Sequence, residues 1–239
     1  MVKVALAGAG NLGTSIALAI SKLPQHSLVI LSQKPRDDLT ALGVPVSIID
    51  YSRPETLVTA LQGVHTVISV TFTFDPASFV SSQLTLLQAA KDAGVKRFAP
   101  SQWAFAEAAS DIIGIYHPKA EIWKAVKESG LQYTAFRPGL YLNFMAFGST
   151  KPELDERVFK ASPKFPFCLN IAAGRADIPG SGEERLNITF TDDIAGFTAA
   201  SLDTEWTTES GMAGSVTTFN ELVSIAEKVT GKKNSSSCD

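Results

Sequence analysis

A glycine-rich segment near the first residues, Gly-Ala-Gly-Asn-Leu-Gly beginning at Gly8, constrains the fold of this chain more than any other feature. It follows a short apolar run and precedes a helical pattern, the context in which G-x-G-x-x-G binds a dinucleotide. Gly8 permits a tight turn, Gly10 leaves room for a pyrophosphate, and Gly13 lets the helix lie close to the strand. Asn11 and Leu12 begin the predicted helix, whose free N–H groups favour phosphates. The alternative is a strand, turn and helix in which the glycines serve packing alone.

The rest of the pattern predicts an α/β fold built on a Rossmann-type, doubly wound parallel sheet. Apolar runs of strand length alternate with helical patterns, as such sheets require. The 239 residues, 45% of them hydrophobic, suffice for one large domain or one domain with a small lobe. Strands are predicted over 2–7, 28–31, 46–49, 66–70, 97–99 and 133–136, and helices over 11–23, 54–62, 77–93 and 118–129.

The pattern changes after the sixth predicted strand. We assign 1–140 to a dinucleotide-binding Rossmann domain, and 141–233 to a substrate lobe plus elements that return to that domain. The region 141–182 is rich in Phe, Pro and Gly, which favours a segment that closes over a substrate. An irregular connection with a few core aromatics is the alternative. The serine-containing tail 234–239 is predicted to be disordered.

Composition and charge argue against several classes of function. The net charge is −3 without long runs of either sign, so a nucleic-acid partner is not expected. The apolar stretches are too short or too polar for a membrane span, and no secretory signal precedes the first strand. Cytoplasmic location is the default expectation, with Cys168 and Cys238 as free thiols in preference to a disulfide. No residue cluster has metal-ligand spacing, so no metal is predicted.

The end of the second strand predicts which dinucleotide is bound. NAD-specific folds place an Asp or Glu there, about 20 residues after the glycines, on the ribose 2′-hydroxyl. Here the positions hold Ser32, Lys34 and Arg36, which suit a 2′-phosphate and therefore NADP(H). The alternative is a pair of solvated cations, which Asp37 and Asp38 partly offset.

Asp50 and Tyr51 end the third predicted strand, where a side chain reaches the adenine of a bound dinucleotide. We include both residues in the cofactor site. An equal alternative for Asp50 is to cap the following turn.

Lys119 falls on the apolar stripe of its predicted helix, with Ile122 and Trp123 three and four positions later. A lysine in this position either extends out past the helix end or enters a cleft, where partial burial tunes the amine for proton transfer. Tyr116 precedes Lys119 by three residues, and not by the four of the usual Tyr-Lys pair of short-chain dehydrogenases.

Several segments taken together resemble the NmrA-like and isoflavone-reductase-like proteins, which are atypical short-chain dehydrogenase/reductases. The sequence of one motif, from Phe98 to Trp103, resembles their fungal branch. The matching segments are 8–13, Ile49-Asp50-Tyr51, 64–70, Val95-Lys96-Arg97-Phe98-Ala99-Pro100-Ser101 with Gln102-Trp103, Lys119 with Ala120 and Ile122, Tyr133-Thr134, and 189–200. The resemblance implies a Rossmann domain, a C-terminal substrate lobe and NADP(H) as cofactor.

The resemblance also implies roles for particular residues. Lys119 corresponds to the lysine that contacts the nicotinamide ribose and acts as acid/base. Thr71, Phe72 and Ser101 correspond to residues beside the cofactor. The stretch from Arg137 to Tyr141 corresponds to the lining of the nicotinamide and substrate pocket. We accordingly place the following residues at the substrate: Gln102, Trp103, Gly139, Tyr141 and Phe144.

Two departures from that family matter. Gln102 stands where many relatives have Glu, so a carboxylate role there is lost. The chain also stops soon after Lys233, where relatives continue, which implies a shortened lobe. Such a pocket is either more open, completed by a second subunit in a homodimer, or specialised for a small or unusual substrate.

The sequence therefore favours an NADPH-dependent reductase of an aromatic or secondary-metabolite-like molecule, with Lys119 as acid/base. One alternative is a non-catalytic redox sensor that binds the dinucleotide and a protein partner. Another is an isomerase or cyclase that retains the cofactor.

Overall fold

The computed structural model of the protein describes residues 2–149 and 167–238. The chain divides into two compact units, each built from two stretches. Unit 1 comprises Met1–Arg137 and Ile194–Gly211, and unit 2 comprises Pro138–Asp193 and Met212–Asp239. The first unit thus ends slightly before the predicted boundary at residue 140 and takes one stretch from beyond it. Residues 150–166 of the predicted lobe lie outside the described residues.

A parallel sheet forms the centre of unit 1. Its strands are β1 (Lys3–Ala7), β2 (Ser27–Ser32), β3 (Val46–Ile48), β4 (Thr66–Ser69), β5 (Arg97–Ala99) and β6 (Gln132–Tyr133). They lie in the order β3-β2-β1-β4-β5-β6, which is the order of a Rossmann sheet. The chain reverses its direction of growth between β1 and β4, so the carboxyl ends of these strands frame a crevice.

The sixth predicted strand is in fact two strands. After β6, the chain forms β7 (Ala135–Arg137), which pairs in parallel with β12 (Glu209–Gly211) instead of continuing along β5. Thr134 lies between them, and its buried hydroxyl is 2.8 Å from the hydroxyl of Ser210. A strand formed much later in the chain therefore supplies the partner of β7.

Helices follow the strands of unit 1. They are α1 (Asn11–Ser21), α2 (Asp37–Thr40), α3 (Pro54–Ala60), α4 (Pro76–Asp92) and α5 (His117–Lys127). Asp75 caps α4 by accepting a hydrogen bond from the Ser78 N–H, and α4 packs between α3 and α5. Their apolar faces meet the sheet in a core whose largest members include Phe79, Phe98 and Trp123.

Unit 2 contains two small sheets. One holds β8 (Leu140–Tyr141), β11 (Leu186–Thr189) and β13 (Ser215–Thr217), and the other holds β9 (Leu169–Asn170), β10 (Arg175–Ile178) and β14 (Ser235–Cys238). The remaining α-helices of the described residues are α6 (Thr191–Ala200), most of which belongs to unit 1, and α7 (Phe219–Thr230) of unit 2. A capping box of Thr218 and Glu221 begins α7, and Gly231 ends it with a φ of 69°.

The prediction of a disordered tail is wrong for most of its residues. Ser235–Cys238 forms β14, which pairs in parallel with β10 from Arg175 to Ile178. A strand added at a sheet edge is held by backbone hydrogen bonds, which polar residues make as well as apolar ones. The serine composition of the tail therefore conceals its ability to form a strand.

Candidate functional site

The three motif glycines occupy the positions that a dinucleotide cradle requires. Gly8 has a φ of 108°, and a Cβ atom there would lie 3.0 Å from Val70. A Cβ atom on Gly13 would lie 2.3 Å from the Gly8 carbonyl oxygen, so only glycine allows α1 to approach β1 this closely. A Cβ atom on Gly10 would meet no atom within 4 Å, which leaves the space in front of α1 open. Gly10 is also the N-cap of α1 and makes no side-chain cap, so the first N–H groups of α1 face that space.

The end of β2 brings a guanidinium to the same helix terminus. Nη2 of Arg36 donates to the Thr14 hydroxyl at 3.3 Å and to Asp38 Oδ2 at 2.6 Å. Nε of Arg36 donates to Asp38 Oδ1 at 2.8 Å. The hydrogen bond from Arg36 lowers the pKa of Asp38. Lys34 is exposed, and its N–H donates to Ser32 Oγ within a tight turn. Two cations thus lie beside the cradle, one of them already paired.

The two residues after β3 that are predicted to reach the adenine, Asp50 and Tyr51, have different surroundings. Asp50 accepts hydrogen bonds from the N–H and hydroxyl of Ser52 and lies 3.3 Å from Arg53, so it caps the turn. This is the alternative role that its sequence context allows, and we prefer it to the adenine contact. Tyr51 packs against the core of unit 1. Burial raises the pKa of its phenol to about 12, and a hydrogen bond from Thr71 opposes that shift.

A buried glutamine joins the carboxyl ends of β4 and β5. The side chain of Gln83, on α4, is fully buried and donates to the hydroxyls of Ser69 and Thr71, each at 2.7 Å. Its oxygen accepts the Ser101 N–H at 3.1 Å. The predicted cofactor residues Thr71 and Ser101 are therefore fixed to one another through a side chain that the motifs do not reveal.

Gln102 and Trp103 belong to the interior of unit 1 and not to an open pocket wall. Trp103 donates from Nε1 to the Ser69 carbonyl at 2.7 Å and stacks on Phe136 at 4.9 Å between ring centroids. Gln102 is 1% exposed and donates to the Lys119 carbonyl at 2.7 Å. The protein itself satisfies these polar groups, so both residues have a packing role, and their contact with a substrate stays a prediction.

Lys119 is buried on the inner face of α5, with 6% of its surface exposed. Its amine lies over the Tyr116 ring, 5.2 Å from the centroid. Burial, with a smaller contribution from the charge of Arg137, lowers the pKa of Lys119 to about 7. Among the ion pairs of the described residues, none involves Lys119. Such an amine exchanges a proton near neutral pH, as a general acid or base must.

Arg137 carries the charge that acts on the pKa of Lys119, and several partners bind its guanidinium. Nε of Arg137 donates to Glu209 Oε1 at 2.9 Å, and Nη2 lies 2.8 Å from the same oxygen. Nη1 donates to Gln102 Oε1 at 3.2 Å, and the guanidinium lies 5.7 Å from the Trp123 ring centroid. Glu209 reaches Arg137 because β12 pairs with β7.

A cleft of about 930 Å³ opens between the first turns of α4 and α5. Phe72, Phe74 and Ile115 line it and are largely exposed, as is Glu121 on α5. Helical spacing puts Lys119 on the opposite face of α5 from Glu121. Lys119 is not among the residues that line this cleft, and Phe72 lies at its wall.

The predicted substrate residues of unit 2 form an aromatic group next to a tight backbone turn. Tyr141 and Phe144 lie 5.9 Å apart between ring centroids, and Phe144 stacks on Phe167 at 6.0 Å. Gly139 has a φ of 70°, and a Cβ atom there would lie 2.4 Å from the Asn187 carbonyl oxygen. Backbone packing within unit 2 thus accounts for Gly139, while the aromatic group offers an apolar surface.

No group of metal-ligating side chains occurs among the described residues, and no described helix is long and apolar enough to cross a membrane. The sequence motifs miss Gln83 and Glu209, which lie outside every motif. Arg137 was part of the pocket stretch, but its buried bonds to Gln102 and Glu209 could not be read from it. A polar residue within an apolar helix face, as Gln83 is, was the one available signal.

Comparisons with known proteins agree on one family. The profile of the NmrA-like family matches residues 3–237. The chain is 30% identical to the oxidoreductase BOA1 of Botryotinia fuckeliana, over 98% of this chain and 77% of that protein. It is 26% identical to an isoflavone reductase homolog of Solanum tuberosum, over 95% of this chain and 74% of that protein.

Solved structures share the fold. AtPrR2, solved with NADP+ and (+)pinoresinol, is similar with a TM-score of 0.76 and 24% identity, over 99% of this chain and 78% of that one. The triphenylmethane reductase of Citrobacter sp., complexed with NADP(H), gives a TM-score of 0.75 and 22% identity, over 99% and 79% of the two chains. The Rossmann-type fold and the family resemblance are both confirmed, and the chain belongs to the NmrA-like family.

Proposed function

We propose that this chain is an NADPH-dependent reductase of an aromatic or secondary-metabolite-like small molecule, with Lys119 as acid/base. The observation that supports it most is Lys119 itself, a lysine buried without a carboxylate partner among the described residues and with a pKa lowered to about 7. Burying a charge without a partner costs stability, so such groups occur chiefly at functional sites.

NADP(H) fits the residues at the ends of β1 and β2. The open space at Gly10 and the uncapped terminus of α1 suit the pyrophosphate. Arg36 and Lys34 suit a 2′-phosphate, because both are donors with positive charge and no carboxylate ends β2. The fungal relatives named oxidoreductases and the NADP(H)-bound structural neighbours support the same choice.

The cofactor, when bound, supplies a hydride, and the chain supplies position and a proton. The glycine turn and Arg36 would hold the phosphates, while the Gln83 network fixes Thr71 and Ser101 at the strand ends. The ammonium form of Lys119 donates a proton to the atom of the substrate that becomes basic on reduction. Its pKa near neutrality allows it to take up another proton for the next turnover.

The aromatic group of Tyr141, Phe144 and Phe167 supports an aromatic substrate, because such rings stack on other rings. The relatives' names support the same class, since one structural neighbour holds pinoresinol and another reduces triphenylmethane dyes.

A homodimer and a cytoplasmic location stay predictions. The exposed apolar cleft at Phe72 and Phe74 favours an interface, which sedimentation of the purified chain tests.

The function is tested by NADPH consumption with three probes, a quinone, a triphenylmethane dye and pinoresinol. Lys119→Met is compared with the wild type, and Lys124→Met, exposed on the same helix, is the matched control. We expect Lys119→Met to reduce turnover by about 100-fold or more, with NADPH binding retained, and Lys124→Met to be unaffected. Equal rates in wild type and Lys119→Met contradict the role of Lys119. Dinucleotide binding that depends on redox state, with no turnover of any probe, favours the sensor instead.

A further inference from the structure

We propose that Arg137 is a positioning residue for Lys119: Glu209 and Gln102 hold its guanidinium so that it favours the uncharged amine and fixes the first turn of α5. The inference rests on the proposed function, because the charge of this amine matters to catalysis only if Lys119 exchanges a proton.

The hydrogen bonds form a continuous path. Glu209 accepts from Arg137 at 2.9 Å, Arg137 donates to the Gln102 side-chain oxygen at 3.2 Å, and the Gln102 amide donates to the Lys119 carbonyl at 2.7 Å. Gln102, Lys119 and Arg137 are each less than 10% exposed, so water screens their mutual interaction weakly. The orientation of the Gln102 amide follows from its neighbours, since only an acceptor suits the guanidinium and only a donor suits the carbonyl.

The charges around Lys119 explain why Arg137 has this influence. Tyr116, the residue before α5, presents its ring to the amine, and His117 and Glu121 lie on the opposite face of the helix. From β7, Arg137 adds a positive charge that lowers the pKa of Lys119. Glu209 on β12 pairs with Arg137, not with Lys119, and 38% of its side chain is exposed. Solvent therefore weakens the compensating effect of that carboxylate on the lysine.

Glu107 is the remaining carboxylate near this cluster. It accepts from Trp123 Nε1 at 2.9 Å and pairs with Lys127 at 2.9 Å on the outer side of α5. It therefore neutralises Lys127 rather than the buried amine. Every carboxylate in the described surroundings is engaged by another donor, and Lys119 faces only a ring and a like charge.

Gln102 is the residue that makes the arrangement possible. Its neutral amide accepts from Arg137 while it donates to the backbone of Lys119, which a carboxylate does not do. A glutamate in its place would neutralise Arg137 and attract the ammonium of Lys119. A glutamine therefore joins the two cationic residues without cancelling the charge of either.

The experiment measures the pKa of Lys119 directly, by NMR of the chain with 13Cε-labelled lysine, with the Lys119 signal assigned by its loss in Lys119→Met. We expect Arg137→Met to raise the pKa by about one pH unit and Gln102→Glu to raise it by about as much. Arg137→Lys retains the charge and is expected to keep the pKa close to the wild-type value. The basic limb of the pH–rate profile with the best probe, where the ammonium form of Lys119 is lost, moves in parallel.

Gln102→Glu provides the test where Arg137→Met fails to fold, since it leaves the buried guanidinium paired. An unchanged Lys119 pKa in the variants that fold overturns the inference, because a merely structural role of Arg137 would not move it. The two proposals fail separately. If the pKa responds to Arg137 but Lys119→Met turns over at the wild-type rate, the proposed function is wrong. If Lys119→Met is inactive but the pKa does not respond, only the positioning role is wrong.

Discussion

Two regions of unit 1 solve opposite physical problems. The glycine end, which comprises the ends of β1 and β2, is open, and its shape depends on backbone conformation and on the absence of side chains. The lysine end, which comprises Lys119, Gln102 and Arg137, is dry, and its properties depend on side chains that meet from distant parts of the chain. One region leaves N–H groups exposed at a helix terminus, while the other excludes solvent from an amine. A motif defined by residue spacing therefore predicts a site shaped by the local backbone, but not a site formed by side chains from distant parts of the chain.

The lysine end predicts the largest change in stability. Lys119→Met is expected to stabilise the fold at pH 7 by up to about 5 kcal/mol, because an amine whose pKa falls from 10.5 to about 7 on folding opposes folding. The unfolded chain binds more protons than the folded one between these values, so wild-type stability rises with pH across that window. The gain from Lys119→Met is therefore greatest below pH 7 and vanishes above pH 10.5.

Urea denaturation at pH 6 and at pH 10 measures this effect. Lys124→Met, at an exposed position of the same helix, is the control and is expected to change the free energy of unfolding little at either pH. A Lys119→Met variant that is less stable than the wild type at pH 6 would mean that the amine is solvated in the folded state.

The glycine end predicts the next largest effect. Gly13→Ala is expected to cost about 3 kcal/mol of stability, because its Cβ atom would lie 2.3 Å from the Gly8 carbonyl and force α1 away from β1. Gly10→Ala is the matched control, since its Cβ atom enters open space and the cost in stability is expected to stay below about 1 kcal/mol. That methyl group would nevertheless enter the space proposed for the pyrophosphate.

Thermal unfolding and calorimetric titration with NADPH separate the two variants. We expect Gly10→Ala to fold normally and bind NADPH at least about tenfold more weakly. Normal NADPH affinity in Gly10→Ala would show that no phosphate approaches Gly10, and it would contradict a phosphate site at the glycine end.

Gln83, at the carboxyl ends of β4 and β5, gives an intermediate effect. Gln83→Leu is expected to cost about 2 kcal/mol, because it leaves the buried Ser101 N–H without its acceptor and removes the hydrogen bonds to the hydroxyls of Ser69 and Thr71. Gln88→Leu on the exposed side of α4 is the control. A cost no larger than that of the control, measured by urea denaturation, would mean that water replaces the lost amide.

The smallest predicted effect concerns the pairing of Arg36. Asp38→Asn removes the charge that competes with a 2′-phosphate and is expected to raise NADPH affinity by about threefold, with NADH affinity unchanged. Asp50→Asn, which loosens a similar exposed pair with Arg53, is the control. Equal changes for both dinucleotides would remove Arg36 from the phosphate site.

Much of the fold was predictable because each local signal agreed with the next. The glycine turn, the alternation of strands and helices, and the position of Lys119 on an apolar stripe all correspond to the structure. The strand Ser235–Cys238 was not predictable, since its serines give no apolar pattern and its partner β10 lies far away in sequence.

The lysine end was predictable only in part. Periodicity places Lys119 inward but does not supply its surroundings, because Gln102, Arg137 and Glu209 come together through the pairing of β7 with β12. The same non-local packing encloses Gln102 and Trp103, which the motifs alone do not reveal. Side-chain networks of this kind depend on tertiary contacts that a single sequence does not encode as a spacing.

The most direct test of the account is calorimetric titration with NADPH, NADP+, NADH and NAD+, for the wild type and for Lys34→Ala/Arg36→Ala. The account predicts tight binding of NADPH, which the double substitution weakens mainly for the two phosphorylated dinucleotides. A preference for the oxidised forms that ignores the 2′-phosphate, and that the double substitution leaves unchanged, would contradict an NADPH-dependent reductase.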